Sequence, residues 1–152
     1  MRHNPPLVLY VEDDGLLMNM YEQLFTIHGF AFAGGRDFES GKSLIAEQEP
    51  DMILLDLILP SKAKWIPTEL DATLGLELLK ELKEDPKTKN TPVVILTNLD
   101  EPGVEKKAKE LGADRFVIKA NVLPRETLAI VRELLAARGV ALPIDPLAKK
   151  TT

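Results

Sequence analysis

Cysteine is absent from the 152 residues of this chain, which excludes disulfide bonds and thiolate metal sites. No apolar run approaches the ~20 residues that a membrane-spanning helix needs, and the residues before the first apolar run lack the pattern of a signal peptide. An excess of basic residues is also missing, because the formal net charge is −5. That charge argues against direct binding to nucleic-acid phosphates. These absences predict a cytoplasmic protein that contacts neither membrane nor nucleic acid.

The composition that remains is ordinary for a globular domain with a hydrophobic core. Hydrophobic residues make up 45% of the chain and charged residues 28%, and neither internal repeats nor low-complexity tracts interrupt it. The length favours one domain. We expect that domain over residues 1–139, followed by a short C-terminal tail over 140–152 that has too few residues for a second domain.

Short apolar runs alternate with segments of helical periodicity along the chain. Five strands are predicted, at 7–11, 30–33, 52–55, 93–96 and 116–118. Gly34 and Gly35 are expected to end the second strand. Strands separated by helices favour parallel crossover connections. The predicted fold is therefore α/β, a doubly wound five-stranded parallel sheet with helices on both faces.

The helix ends are marked by capping residues. Asp14 is the predicted N-cap of the first helix and Asp37 that of the second, while Pro124 suits the first turn of the last. Regular structure is expected to resume at Gly75 for the third helix, and the fourth is predicted from about Pro102. The first helix is predicted from apolar residues that repeat at helical spacing, Leu17, Met20, Leu24 and Ile27.

Polar residues follow four of the five strands, at the point where each strand ends. Glu12 and Asp13 follow the first, Asp56 the third, Thr97 ends the fourth, and Lys119 follows the fifth. The carboxyl ends of parallel strands share one edge, where such folds bind ligands. Each residue alone also has a structural explanation, as a helix-terminal acid, a turn residue or a solvated lysine. Together they predict a pocket that binds a cation and handles phosphate.

Four segments, 7–14, 53–60, 93–98 and 112–119, resemble the response-regulator receiver domain of two-component signalling, with each segment at the matching strand end. The resemblance covers about residues 7–138 and is closest in kind to single-domain receivers of the chemotaxis type. It implies the flavodoxin-like strand order 2-1-3-4-5.

The resemblance also implies a role for each strand-end residue. Asp56 would be the phosphoacceptor, and a carboxylate can form an acyl phosphate by attacking phosphorus. Mg²⁺, or Mn²⁺, would be bound by Asp13, Asp56 and the backbone carbonyl of Ile58, with Glu12 acting through water. Lys119 would neutralise the incoming phosphoryl oxygens.

Thr97 and Phe116 look like the family's switch pair. The hydroxyl of Thr97 would move toward the phosphoryl group, and the ring of Phe116 would fill the space left behind. Because Phe116 lacks the hydroxyl of a tyrosine, its two positions should differ by packing alone.

The function implied by the resemblance is phosphoacceptor signalling without independent substrate turnover. A sensor histidine kinase or histidine phosphotransfer protein would phosphorylate Asp56, and the changed conformation would control a separate protein, with homodimerisation as one phosphorylation-dependent outcome. Two alternatives stay open: a receiver-like binding module that works without phosphorylation, and a fragment of a larger regulator or hybrid kinase. A haloacid-dehalogenase phosphatase is disfavoured because Ile58 stands where its second acid would be.

The segment after Pro60 departs from the receiver pattern. The glycine expected soon after the phosphoacceptor is Gly75, so the loop at about 61–74 is longer than usual. One interpretation is a tolerated surface insertion, since added loop length costs little entropy. The other is a lid or docking element beside the site, with Trp65 as its apolar anchor.

Overall fold

The computed structural model describes residues 3–62 and 72–147. Five β-strands and five α-helices alternate along the chain. The strands are β1 (Leu7–Val11), β2 (Ala31–Gly35), β3 (Met52–Leu55), β4 (Val93–Thr97) and β5 (Arg115–Ile118). The helices are α1 (Gly15–Ile27), α2 (Phe38–Gln48), α3 (Thr73–Glu84), α4 (Pro102–Glu110) and α5 (Pro124–Ala137). A single 3₁₀ turn, Lys119–Asn121, connects β5 to α5.

All five strands are parallel and pair in the order β2-β1-β3-β4-β5. Val11 pairs with Leu55 across β1 and β3, and Thr97 pairs with Ile118 across β4 and β5. The residues that follow these pairs therefore emerge at the same edge of the sheet. The predicted fold class and strand order are confirmed.

The sheet separates the core into two layers, one on each face. Val8 and Tyr10 of β1 pack in the layer with α1 and α5, and the alternate residues Leu9 and Val11 pack in the layer with α2 and α3. Side chains of successive strand residues point to opposite faces, so a strand covered on both sides is apolar throughout. This is why the central strands are continuous apolar runs without alternation.

The apolar repeat predicted for α1 matches its packed face only in part, since Leu17 and Leu24 are half-buried against the core. Met18, Tyr21 and Phe25 are the buried residues, whereas Met20 and Ile27 are 41% and 50% exposed. The apolar residues of this helix lie on more than one stripe, and the stripe that contains Tyr21 and Phe25 is the most deeply buried. Phe25 and its neighbours form a cluster of edge-on and stacked rings, Tyr10, Tyr21, Phe25, Phe30 and Phe32. Rings of this size contribute more buried area than the competing Met and Ile side chains.

The glycine pair ends β2 as predicted, but Gly34 and Gly35 are themselves the last two residues of the strand and pair with β1. A Cβ on Gly34 would lie 2.4 Å from the sulfur of Met18, and one on Gly35 would lie 2.8 Å from the backbone of Gly41. The glycines thus mark where α1 and α2 approach the sheet closely, rather than a turn.

Helix α3 begins two residues before the predicted start, at Thr73. Gly75 lies in its first turn, where a Cβ would come within 2.2 Å of the Leu57 Cα, and its amide donates to the Leu57 carbonyl at 3.1 Å. The helix therefore packs directly against the backbone that follows Asp56 and fixes the path of that segment.

The predicted loop at about 61–74 lies mostly outside the described residues, and Trp65 lies among those not described. Its first residues are anchored on α2, because the hydroxyl of Ser61 and the amide of Lys62 both donate to Glu39. Within the described ranges, no helix is long and apolar enough to cross a bilayer.

Candidate functional site

Three carboxylates lie together at the carboxyl edge of the sheet. Glu12 and Asp13 follow β1, and Asp56 follows β3, the strand beside it. One oxygen from each carboxylate lies within 4.8 Å of the others. Glu12 and Asp56 are 1% and 3% exposed, whereas Asp13 is exposed. Buried carboxylates this close repel one another unless a cation compensates their charge.

Lys119 supplies one compensating charge from the end of β5. Its ammonium lies 2.7 Å from Oδ2 of Asp56 and 2.5 Å from Oε2 of Glu12. Burial lowers the pKa of Lys119, but the hydrogen bonds that its ammonium donates to these two carboxylates, together with their negative charge, raise it further, so the side chain is a stable cation. A lysine from the edge strand thereby reaches two acids that follow central strands.

The other oxygen of Asp56 is held by the backbone. The amide of Ile58 donates to Oδ1 of Asp56 at 3.1 Å, and the packing of α3 on Leu57 fixes the intervening residue. Both carboxylate oxygens therefore have a donor, one neutral and one charged. This arrangement sets the orientation of the Asp56 carboxylate relative to the crevice.

Glu12 is the most strongly perturbed acid of the site. Burial raises its pKa to about 7, with a further contribution from the nearby Asp56, while the hydrogen bond from Lys119 opposes the shift. The hydroxyl of the fully buried Tyr10 donates to Oε2 of Glu12 at 3.1 Å, and the amide of Asp14 donates to Oε1 at 3.1 Å. Burial also raises the pKa of Tyr10, which keeps it a hydrogen-bond donor.

Asp14, the third acid of the sequence run, serves α1 instead of the site. Its carboxylate accepts hydrogen bonds from the amides of Leu16 and Leu17 at 2.9 and 3.2 Å, as an N-cap does. The predicted N-cap is confirmed. Of these two neighbouring acids, Asp14 caps α1 and Asp13 belongs to the acidic cluster.

Thr97 and Phe116 lie on the same face of the sheet, on neighbouring strands. Thr97 is fully buried at the end of β4, and its hydroxyl accepts from the Leu99 amide at 3.3 Å. Phe116 pairs with Ile95, two residues before Thr97, and packs half-buried in the layer that contains Ala108 of α4. The two predicted switch residues are therefore two register positions apart on neighbouring strands. Thr97 lies at the end of β4, and Phe116 lies in the layer that contains α4.

Two residues at this edge, Tyr10 and Arg36, were missed by the sequence-based prediction, and Asn98, which follows Thr97 at the end of the fourth predicted strand, was given no role. Tyr10 lies two residues before Glu12 on the same strand face, so a hydroxyl inside an apolar run was the available signal. Asn98 accepts from the amide of Ala120 at 3.0 Å and links the β4 and β5 loops. Arg36 donates twice to the backbone carbonyl of Asp13. Its only sequence signal is a basic residue directly after β2.

A sequence profile decides the family. The profile of the response regulator receiver domain matches residues 8–132. The chain belongs to this family. Receiver domains act as phosphoacceptors in two-component signalling, which is the general function this membership supports.

Curated response regulators are similar over most of the chain. The polar-differentiation response regulator DivK of Brucella anthropi is 29% identical over 121 residues, covering 80% of this chain and 89% of DivK. The phosphate regulon transcriptional regulatory protein PhoB of Pseudomonas aeruginosa is 26% identical, covering 95% of this chain and 62% of PhoB. The match to this chain therefore spans about three fifths of the length of that PhoB.

Solved receiver structures have the same fold. A response regulator from Chloroflexus aurantiacus superimposes with a TM-score of 0.72 at 26% identity, covering 87% of this chain and 98% of that one. The Mn²⁺-bound form of response regulator Rcp1 gives a TM-score of 0.67 at 26% identity, covering 91% of this chain and 99% of Rcp1.

The donor set of the site suits a hard divalent cation. Glu12, Asp13 and Asp56 offer only oxygen atoms, and Mg²⁺ and Mn²⁺ prefer oxygen ligands. Two of these carboxylates are buried and one is exposed, so a cation could enter from the solvent side through Asp13. The chemistry of the three residues thus fits the metal that the receiver family implies.

Proposed function

We propose that Asp56 accepts a phosphoryl group with the help of Mg²⁺ and that this switches the surface around α4 and β5. The observation that carries this proposal is the juxtaposition of a buried Asp56, two further carboxylates and the Lys119 ammonium at one edge of the sheet. These groups come from three separate segments of the sequence, at the ends of β1, β3 and β5, and the fold brings them together.

The covalent step forms one bond and breaks one bond. An oxygen of the Asp56 carboxylate attacks phosphorus of the donor, an oxygen–phosphorus bond forms, and the bond from phosphorus to the donor's leaving atom breaks. The product is an acyl phosphate on Asp56. The Ile58 amide, 3.1 Å from Oδ1, orients the carboxylate for this attack.

Lys119 supplies positive charge where charge accumulates. Its ammonium lies 2.7 Å from Oδ2 of Asp56, within reach of phosphoryl oxygens added to that carboxylate. A fixed cation at this place lowers the energy of the transferring group without having to be reorganised during the reaction.

Glu12, Asp13 and Asp56 would hold the divalent cation, with the carbonyl of Ile58 as the backbone ligand that the family resemblance implies. When bound, the cation neutralises charge on the transferring phosphoryl oxygens. Glu12 makes hydrogen bonds to Tyr10 and Lys119, which suits a role through water rather than as a direct ligand.

The switch would pass from Thr97 to Phe116. The Thr97 hydroxyl is at the end of β4 beside the site, and its partner in the described structure is the Leu99 amide. On phosphorylation the hydroxyl would exchange this amide for the phosphoryl group, and Phe116 would repack into the vacated space. Phe116 is half-buried in the layer that contains Ala108 of α4, which supports a route from the site to the surface at that helix.

The phosphoryl donor is proposed to be a histidine kinase or phosphotransfer protein, and the output to be a separate protein that reads the α4–β5 surface. We expect no turnover of an independent substrate and a cytoplasmic location, and both expectations rest on membership of the receiver family. Self-dephosphorylation at Asp56 would end the signal.

Neighbouring acids allow a sharp test of the metal-assisted reaction. Asp13→Asn should abolish phosphorylation of Asp56 by acetyl phosphate in the presence of Mg²⁺. Asp14→Asn should leave it intact, because asparagine is also a good N-cap. Phosphorylation is measured by intact mass with and without a chelator. Equal phosphorylation of the two variants, or phosphorylation that survives the chelator, would contradict the proposed site.

A further inference from the structure

Arg36, directly after β2, is connected to the site through the backbone of Asp13. Its Nε and Nη2 atoms both donate to the Asp13 carbonyl, at 3.0 and 2.5 Å. Two hydrogen bonds from one planar guanidinium fix both the position and the direction of an acceptor. The guanidinium therefore holds the peptide that joins β1 to α1 at the point where Asp13 leaves the sheet.

Gly15 provides the space that this contact requires. A Cβ on Gly15 would lie 3.1 Å from both Nη1 and Nη2 of Arg36. Gly15 is the first residue of α1, a position at which alanine would favour the helix more than glycine does. Gly15 therefore makes α1 less stable than alanine would, but it lets the guanidinium of Arg36 lie close to the backbone at the start of the helix.

Asp13 depends on this backbone contact more than the other acids do. Glu12 and Asp56 are buried and their carboxylates are held by hydrogen bonds to Tyr10, Lys119 and Ile58. The side chain of Asp13 is exposed and gains no such burial. The orientation of its carboxylate toward the other two must therefore come from the conformation of its own backbone.

We propose that Arg36 is a positioning residue for the divalent-cation site: by binding the Asp13 carbonyl through two hydrogen bonds, with Gly15 leaving room for the guanidinium, it directs the Asp13 carboxylate into the acidic cluster. This inference rests on the proposed function of that cluster. Groups that orient a metal ligand typically contribute ten- to a hundredfold to metal affinity.

If Arg36 acted through its charge alone, its removal would have the opposite effect on Mg²⁺ affinity. A guanidinium near three carboxylates competes electrostatically with a divalent cation, so removing it would strengthen Mg²⁺ binding if charge were its main contribution. The direction of the change in affinity therefore distinguishes positioning from charge. Arg125, exposed in the first turn of α5, is a suitable control for the loss of one basic residue at this end of the molecule.

The test is equilibrium titration of the metal-free protein with MgCl₂ at constant ionic strength, followed by amide NMR shifts. Arg36→Ala should weaken Mg²⁺ binding by about tenfold, and Arg125→Ala should not. Gly15→Ala should also weaken binding, although it favours α1, because a Cβ 3.1 Å from Nη1 and Nη2 of Arg36 pushes the guanidinium away from its contact with Asp13. In the Arg36→Ala background, Gly15→Ala should have no further effect. Melting temperatures show whether each variant is folded.

If Arg36 and Gly15 act through the same contact, the effects of their substitutions on Mg²⁺ affinity do not add. Two substitutions that damaged the structure independently would not give this result. Unchanged or tighter Mg²⁺ binding in Arg36→Ala would overturn the inference, as would independent, multiplying effects of the two substitutions. If Arg36→Ala fails to fold, Gly15→Ala alone decides, and wild-type affinity in that variant overturns the inference. A wild-type protein that binds no Mg²⁺ would overturn the proposed function and this inference with it.

Discussion

Glu12 is an acid whose chemistry is set by burial rather than by its sequence neighbours. It is 1% exposed, lies next to Asp56, and accepts hydrogen bonds from Tyr10 and Lys119. Burial raises its pKa from 4.5 to about 7. The metal-free protein should therefore reveal Glu12 through the pH dependence of its stability.

The sign of that dependence follows from the raised pKa. Because the folded state binds the Glu12 proton more tightly than the unfolded state, folding stability should fall as pH rises from about 4.5 to about 7. Between about pH 5.5 and 7.5, the wild type should lose on the order of 1–2 kcal/mol of unfolding free energy relative to Glu12→Gln. Urea denaturation in the presence of a chelator measures the difference.

Glu22→Gln, at an exposed position on α1, is the control, and it should keep the pH dependence of the wild type. Identical slopes for the wild type and Glu12→Gln would show that Glu12 titrates as an ordinary acid. The raised pKa would then be wrong.

Sequence reasoning reached the acids and the lysine of the site, but not the residues that orient them. Glu12, Asp13, Asp56 and Lys119 each stand at a strand end, and the parallel fold alone is enough to place them together. Arg36 contacts Asp13 through a backbone carbonyl. Such contacts depend on loop conformation, which a residue pattern does not specify.

At the scale of elements, α1 buries the side of the helix that carries Tyr21 and Phe25, and this leaves other apolar residues of the helix exposed. Leu16 is 84% exposed at the start of α1, beside the site, and Leu123 is 49% exposed just before α5. Both helices begin at the carboxyl edge of the sheet, where Asp56 lies. We expect the proposed protein donor to contact these exposed side chains, because it has to reach Asp56 from this edge.

Leu16→Ser should therefore slow phosphotransfer from a protein donor while leaving phosphorylation by acetyl phosphate unchanged. Ile27, 50% exposed in the last turn of the same helix, lies at the opposite edge of the sheet, so Ile27→Ser should affect neither reaction. Rates from the cognate phosphorylated kinase and from acetyl phosphate are compared for both variants. Equal loss with the small-molecule donor would indicate damage to the site instead.

The switch is a property of β4, β5 and α4 together. Thr97→Ala removes the hydroxyl but little volume from a fully buried position. This variant should still be phosphorylated on Asp56, yet show much smaller phosphorylation-dependent amide shifts around Phe116. Thr127→Ala, a buried threonine of α5 that bonds Tyr21 in the other layer of the core, should retain the full shifts. Full shifts in Thr97→Ala would contradict the proposed role of its hydroxyl.

The elements themselves were predictable where a single period or cap dominates. The apolar runs of β1 and β3 and the caps Asp14 and Asp37 gave the right positions. The buried face of α1 was not predictable in this way, because several apolar stripes overlap and tertiary packing of the rings selects one.

At the scale of the whole molecule, the chain after α5 returns to the start of the fold. Asp145 accepts from Arg132 of α5 at 2.5 Å and lies 2.7 Å from Nδ1 of His28, at the end of α1. The backbone of Ile144 passes close to Gly29, where a Cβ would come within 2.8 Å of the Ile144 carbonyl oxygen. The boundary of the predicted tail at 140 stays a prediction, but its described part contacts the domain through Val140, the Ile144 backbone and Asp145.

Asp145→Asn should lower the melting temperature, because the hydrogen bond from His28 and the ion pair with Arg132 lose their charged acceptor. These contacts lower the pKa of Asp145 to about 2. Their contribution should be complete above about pH 4 and disappear as pH falls toward 2. Wild type and variant should thus converge in acid. Asp100→Asn, in the loop before α4, is the control, and a constant difference at all pH values would refute the linkage.

Phosphorylation of Asp56 is the claim on which the account depends most. The decisive measurement is the intact mass of the purified protein after incubation with acetyl phosphate and Mg²⁺, beside Asp56→Asn and a chelator control. We predict a gain of one phosphoryl group that requires both Asp56 and the metal. No gain in a folded protein, or the same gain in Asp56→Asn, would contradict the account and favour a receiver that binds its partner without phosphorylation.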